Sequence, residues 1–119
     1  DRIVLITDAV RSAGMPEGEY RIDERIVMVK DGAVRLPDGT LAGSTLTMDR
    51  CWRNFMAATG QPLEKVWQTS SLNAARSLHL SHLRGSLEIG KSADLVLVDD
   101  EIGVHLTMAD GTIVYQTVG

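Results

Sequence analysis

The feature that most constrains this chain is an apolar run near its start that stops on an acid. Ile3, Val4, Leu5, Ile6 and Thr7 read as one continuous strand, and Asp8 follows directly. A run without polar alternation fits a parallel sheet covered on both faces better than a half-exposed hairpin. Such a strand needs neighbours on both edges to satisfy its backbone groups. The chain opens "DRIVLI", without an initiator methionine, and enters this run within two residues. Aromatic residues make up only 4% of it, thin material for a self-sufficient core, so it reads as the tail of a longer protein.

Asp8 then has two readings. In a parallel α/β barrel, catalytic groups sit just beyond the C-terminal ends of strands, where loops converge on one cavity. A carboxylate there serves as general base for a bound water and returns the proton to a leaving group. Asp also caps helices and starts turns after strands. Position alone leaves both open.

The rest of the chain changes period twice. Residues 9–19 carry Gly14, Pro16 and Gly18 and read as a loop. "RIVMVK" and "AVRLP" flank Asp31-Gly32, a pair suited to a type I′ hairpin turn, and "PDGT" at residues 37–40 predicts a second turn. From Ser44 the spacing becomes helical: Met48, Cys51, Trp52, Phe55 and Met56 form a stripe that Gly60 ends. Pro62 marks the start of another helix with Leu63, Val66 and Trp67 on its apolar side, and "LNAARSLH" predicts a third over residues 72–79. After Gly85 the pattern turns to strands: "ADLVLVD", "GVHLTMA" and "TIVYQTV", the last two joined at Asp110-Gly111.

Composition excludes several function classes. With 24% charged and 44% apolar residues the chain is ordinary globular material. A net charge of −4 with no Lys/Arg run longer than a pair argues against nucleic acid as a partner. No apolar run approaches the ~18 residues of a membrane span, and no signal peptide is recognisable. Cys51, the single cysteine, has no internal disulfide partner, so a cytoplasmic setting is the default expectation.

Other candidate sites are weaker. His79 and His82 are three apart, as metal ligands on one helix face can be, but Gly85 ends the segment and no Glu or Cys stands nearby. They read as solvated or capping groups, and His105 as a structural strand residue. Cys51, Trp52, Trp67, Met48 and Met56 read as core. In "GTLAGSTLTMD", residues 39–49, two glycines bracket Leu41-Ala42 and leave backbone groups accessible to a ligand before a helix begins. The plain alternative there is a loop and an N-cap by Ser44 or Thr45.

Three stretches together carry a resemblance. "LITDAV" resembles the end of the eighth barrel strand in the N-acetylglucosamine-6-phosphate deacetylases of the amidohydrolase superfamily, and "DGTLAGSTLTMDR" resembles that subgroup's stretch after the strand-eight loop. "SLNAARSLHL…RGSLEIGKSADLVLVD" resembles the terminal pattern of much of the superfamily, with Asn73-Ala74 where many relatives have Asn-Pro. The resemblance implies an α/β fold: the C-terminal part of a (β/α)8 TIM-like barrel plus strands of a small β-sandwich domain. Residues 1–83 would supply the final strand, excursion and helices of the barrel, and residues 84–119 the strands of the small domain.

The resemblance also implies a function. The parent enzyme would hydrolyse the acetamide of N-acetylglucosamine 6-phosphate in amino-sugar catabolism, with a divalent metal, commonly zinc, polarising the carbonyl. Asp8 matches the family's catalytic aspartate, and Leu41, Ala42 and Gly43 match its sugar-contacting stretch. The metal ligands and the phosphate-binding residues come from earlier barrel strands, so no metal ligand is assigned here, and His79, His82 and His105 do not match those positions. The family is often dimeric, and a homodimer is the expectation. Two alternatives remain. One is a cyclic amidase or deaminase of the same superfamily, against which "LAGSTLTMD" argues. The other is a non-catalytic β/α module, which would leave Asp8 hydrogen-bonded to local backbone and away from any pocket.

One consequence is directly testable. A metal-loaded preparation of residues 1–119 alone is expected neither to hold the metal tightly nor to deacetylate N-acetylglucosamine 6-phosphate. Measurable turnover in a preparation free of longer chains contradicts this.

Overall fold

The computed structural model describes residues 2–118, which divide into two compact units. One unit, Ile6–Cys51, is built on four antiparallel strands in sequential order: β1 (Gly18–Ile22), β2 (Arg25–Lys30), β3 (Ala33–Arg35) and β4 (Leu41–Ser44). Alternation along β2 explains its core. Val27 and Val29 point inward and are buried, while Ile26 and Met28 face outward on the opposite side. With Val34, which is completely buried, they form a valine core packed by Val10, Tyr20, Ile22 and Leu36. Burying each valine stabilises the sheet by about 1.5–3 kcal/mol, enough to hold a meander whose outer face is wet.

The turns follow the sequence closely. Asp31 and Gly32 adopt φ of 51° and 76°, the paired positive values a type I′ hairpin requires. In "PDGT" the Asp38 carboxylate accepts the Thr40 N–H at 2.9 Å, and that bond holds its carboxyl below the ordinary value.

Three stretches depart from expectation, one of them β4, read as a loop before a helix. Residues 3–7 form no strand: Ile3, Val4 and Ile6 are 51%, 38% and 73% exposed. A strand is defined by its partners, and among the described residues all seven strands belong to two antiparallel sheets that do not include this run. Leu5 N–H instead donates to the Thr69 carbonyl at 2.8 Å, and Asn73 Nδ2 to the Ile3 carbonyl at 2.9 Å. The third departure is at residues 18–19, read as the end of a loop, which belong to β1, whose Tyr20 and Ile22 alternate inward.

From Trp52 onward the chain belongs to the other unit, which holds a second sheet and the helices apart from the first turn of the first one. Helix α1 (Met48–Thr59) stops at Gly60, whose N–H closes on the Met56 carbonyl at 2.8 Å with φ of 66°. Helix α2 (Leu63–Val66) follows Pro62 and passes into a 3-10 turn at Trp67–Thr69, and α3 covers Leu72–Ser77. Cys51, Val66 and Ala75 are buried, whereas Met48, Trp52, Met56 and Trp67 are half-buried. No helix among the described residues is long and apolar enough to cross a membrane.

The second sheet, β5 (Leu95–Val98), β6 (Val104–Ala109) and β7 (Thr112–Gln116), is an antiparallel meander with its predicted Asp110-Gly111 turn. At the β5–β6 connection Asp99 receives the Gly103 N–H at 2.7 Å, the Glu101 N–H at 2.9 Å and His105 Nε2 at 2.8 Å. The His105 hydrogen bond first, then these backbone donors, hold the Asp99 carboxyl below its ordinary value. A depressed folded-state value means that the unfolded chain binds the proton more readily. The stabilisation is therefore present above the ordinary value of 3.8 and is lost as pH falls through the folded value. Unfolding followed by amide exchange in β5 and β6 should show this acid loss, and Asp99→Asn should flatten it. An acid dependence untouched by that substitution contradicts the assignment.

Candidate active site

The four residues singled out in the sequence fall within one unit. Asp8 has φ of 51°, a left-handed conformation that Asp tolerates better than most residues. Unlike Asp31 and Asp110 it opens no Asp-Gly hairpin. Among the described residues its carboxylate takes part in no hydrogen bond or ion pair, so it is not spent on local backbone. Of the two marks of a non-catalytic module, an Asp8 hydrogen-bonded to local backbone is not found among the described residues, whereas an Asp8 away from the cavity lining is.

Leu41, Ala42 and Gly43 are not a loop before a helix but strand β4. The reason lies in Gly43. Its φ of 134° lies outside ordinary strand geometry for an L-residue, and its lack of a side chain lets the chain at Asp8 approach closely. A Cβ built there would stand 2.5 Å from Val10 Cγ1, 3.3 Å from the Asp8 carbonyl and 3.7 Å from Asp8 Oδ2. Gly43 is thus the residue against which the acid-bearing turn lies. The β3–β4 register passes from Val34↔Gly43 to Arg35↔Leu41, leaving Ala42 as the extra, unopposed residue of a bulge. Bulges commonly re-aim a side chain or free a backbone group beside a site. Leu41 is exposed and Gly43 buried.

The turn is joined to β4 along its free edge. Ser44 N–H donates to the Asp8 carbonyl at 3.0 Å and Val10 N–H to the Ser44 carbonyl at 3.0 Å, a short parallel bridge centred on Ala9 and Ser44. Ser44 lies four residues before α1 begins, too far to cap it. Beside this seam is an open cavity of about 650 Å³ lined by Val10, Ile22, Val27, Leu36 and Ala42, with Asp23, Glu24 and Arg25 at the β1–β2 turn. Ala42 and Val10 line it; Asp8, Leu41 and Gly43 do not.

Among the described residues no group of three or more His, Cys, Asp or Glu side chains is arranged to hold a metal ion. His79 and His82 are exposed, and α3 ends at Ser77, so they share no helix face. His105 has a partner that sequence spacing concealed, the Asp99 carboxylate across the hairpin turn.

Residues 5–115 match the model of the amidohydrolase family, and the chain belongs to that family. The individual relatives are narrower in their chemistry. N-acetylglucosamine-6-phosphate deacetylase of Lysinibacillus sphaericus is 44% identical over 117 residues, covering 98% of this chain and 30% of the relative. N-acetylgalactosamine-6-phosphate deacetylase of Escherichia coli O157:H7 is 42% identical over 106 residues, covering 89% of this chain and 28% of the relative. Among solved structures, N-acetylglucosamine-6-phosphate deacetylase from Thermotoga maritima superimposes with a TM-score of 0.87 at 40% identity, over 97% of this chain and 31% of that one. The chain therefore spans under a third of the length of these relatives, and the family resemblance read from its three motifs agrees with them.

Gly43→Ala tests the close approach. A methyl group at 2.5 Å from Val10 in a left-handed backbone is expected to cost about 1–3 kcal/mol, read as a lowered unfolding midpoint. A variant as stable as the parent contradicts the packing described.

Proposed function

We propose that the protein carrying this chain is a metal-dependent amidohydrolase that converts N-acetylglucosamine 6-phosphate to glucosamine 6-phosphate and acetate. The observation that carries the reading is the 44% identity to a deacetylase of that name across nearly the whole chain, in which Asp8 stands unpaired against Gly43. On this reading residues 1–83 contribute the last strand, excursion and helices of a (β/α)8 barrel, and residues 84–119 strands of a small β-sandwich domain. The sheet β5–β7 lies wholly within the second range, which supports the division. The divalent metal, zinc in the first instance, is held by residues outside this segment. A phosphorylated sugar does not cross membranes unaided, which supports a cytoplasmic enzyme, and family precedent supports a homodimer.

Asp8 does the proton work. Its carboxylate takes a proton from the attacking water as the new C–O bond forms at the acetamide carbonyl. The protonated acid then delivers that proton to the sugar nitrogen as the C–N bond breaks, so acetic acid and a neutral amine leave, and the acid ionises to acetate by giving its remaining proton to the amine or to solvent. One group serving in both directions suits an amide, whose nitrogen departs poorly unless protonated. Leu41, Ala42 and Gly43 contact the sugar, the first through an exposed apolar side chain and the others through backbone at the bulge.

The E. coli O157:H7 relative supports a second reading, in which the galacto epimer is the preferred substrate. Parallel kcat/KM values for the two N-acetylhexosamine 6-phosphates decide between them, with dihydroorotate and hydantoin as cyclic-amide controls. In the full-length protein Asp8→Asn is expected to lower kcat by about 10²–10⁴-fold with fold and metal content unchanged, because an amide cannot accept the proton. Near-normal kcat contradicts the role.

A further inference from the structure

Resting on that reading of Asp8, the hydrogen bonds around it single out a residue that the motif match leaves without a role. Ser44 follows Gly43 and is half-buried. Its Oγ donates to the carbonyl oxygen of Thr7 and accepts the Leu46 N–H at 3.1 Å. Its backbone N–H donates to the carbonyl of Asp8 at 3.0 Å, and its own carbonyl receives the Val10 N–H at 3.0 Å.

These contacts have a specific geometric meaning. The Thr7 carbonyl belongs to the peptide plane that precedes the Asp8 Cα, and the Asp8 carbonyl to the plane that follows it. Rotation of those two planes about the Cα defines φ and ψ of Asp8, and hence the direction in which its side chain leaves the backbone. Ser44 holds the first plane with its hydroxyl and the second with its N–H. Asp8 is kept at φ of 51°, a left-handed conformation that an L-residue holds when its surroundings restrain it. We propose that Ser44 is a positioning residue, whose hydroxyl locks the Thr7–Asp8 peptide and so aims the Asp8 carboxylate for proton transfer.

Removing the hydroxyl leaves the seam. In Ser44→Ala both backbone bonds to Asp8 and Val10 remain, so the sheet edge stays closed while the preceding peptide becomes free to turn. The loss then falls on the chemical step rather than on sugar binding, because misplacing a reacting group by about 1 Å is enough to cost up to about 10²-fold.

The test is a double-mutant cycle in the full-length enzyme, with Ser44→Ala, Ser44→Thr, Asp8→Asn and the double variant assayed on N-acetylglucosamine 6-phosphate. Ser44→Ala is expected to lower kcat by about 10–100-fold with KM changed far less. Ser44→Thr, which keeps a hydroxyl, should recover most of the rate. Because Ser44 acts only through Asp8, adding Ser44→Ala to Asp8→Asn should lower kcat by less than about twofold further. Normal kcat in Ser44→Ala, equal losses in both backgrounds, or a loss explained by unfolded protein each overturn the proposal while leaving the deacetylase reading intact. If Asp8→Asn itself keeps its rate, the reading of Asp8 falls and Ser44 has nothing to position, so both are overturned together.

Discussion

A pair of backbone hydrogen bonds, Ser44 N–H to the Asp8 carbonyl and Val10 N–H to the Ser44 carbonyl, joins the turn that carries the acid to the free edge of a four-stranded sheet. That seam exists because Gly43 has no side chain. With any larger residue Val10 and the Asp8 backbone could not close against β4. The sheet behind it is made rigid by a small valine core, so a carboxylate on an irregular turn inherits the stability of a regular element.

The local stretches that follow from short-range chemistry were legible in the sequence. Asp31-Gly32 and Asp110-Gly111 demand paired positive φ and obtain it, and the stripe from Met48 to Met56 becomes α1, ending at its glycine. What failed depended on partners distant in the chain. Ile3–Thr7 has the composition of a buried strand, but strand character comes from neighbouring strands, and among the described residues none pairs with it. β4 escaped because "LAGS" offers no alternation of large apolar residues and carries a glycine that usually signals a loop. The Asp99–His105 contact was hidden because a turn brings the two side chains together across a six-residue spacing.

The candidate site divides in the same way. Asp8 could be picked out by its place after an apolar run, and Leu41, Ala42 and Gly43 by resemblance to a family motif. Ser44 could not. Its part emerges only when the two peptide planes flanking Asp8 are traced to one residue thirty-six positions later in the chain. The left-handed backbone at Asp8 makes this dependence sharp, since a residue in a relaxed conformation would need no such clamp.

On the proposed reading, the carboxylate held at this seam faces the nitrogen of a bound acetamido sugar. A crystal structure of the full-length protein with a non-hydrolysable analogue of N-acetylglucosamine 6-phosphate tests it most directly. The expected result is an Asp8 oxygen within about 3.2 Å of the group that replaces the amide nitrogen or the attacking water. An analogue bound with Asp8 turned away, and another acid in that position, contradicts it.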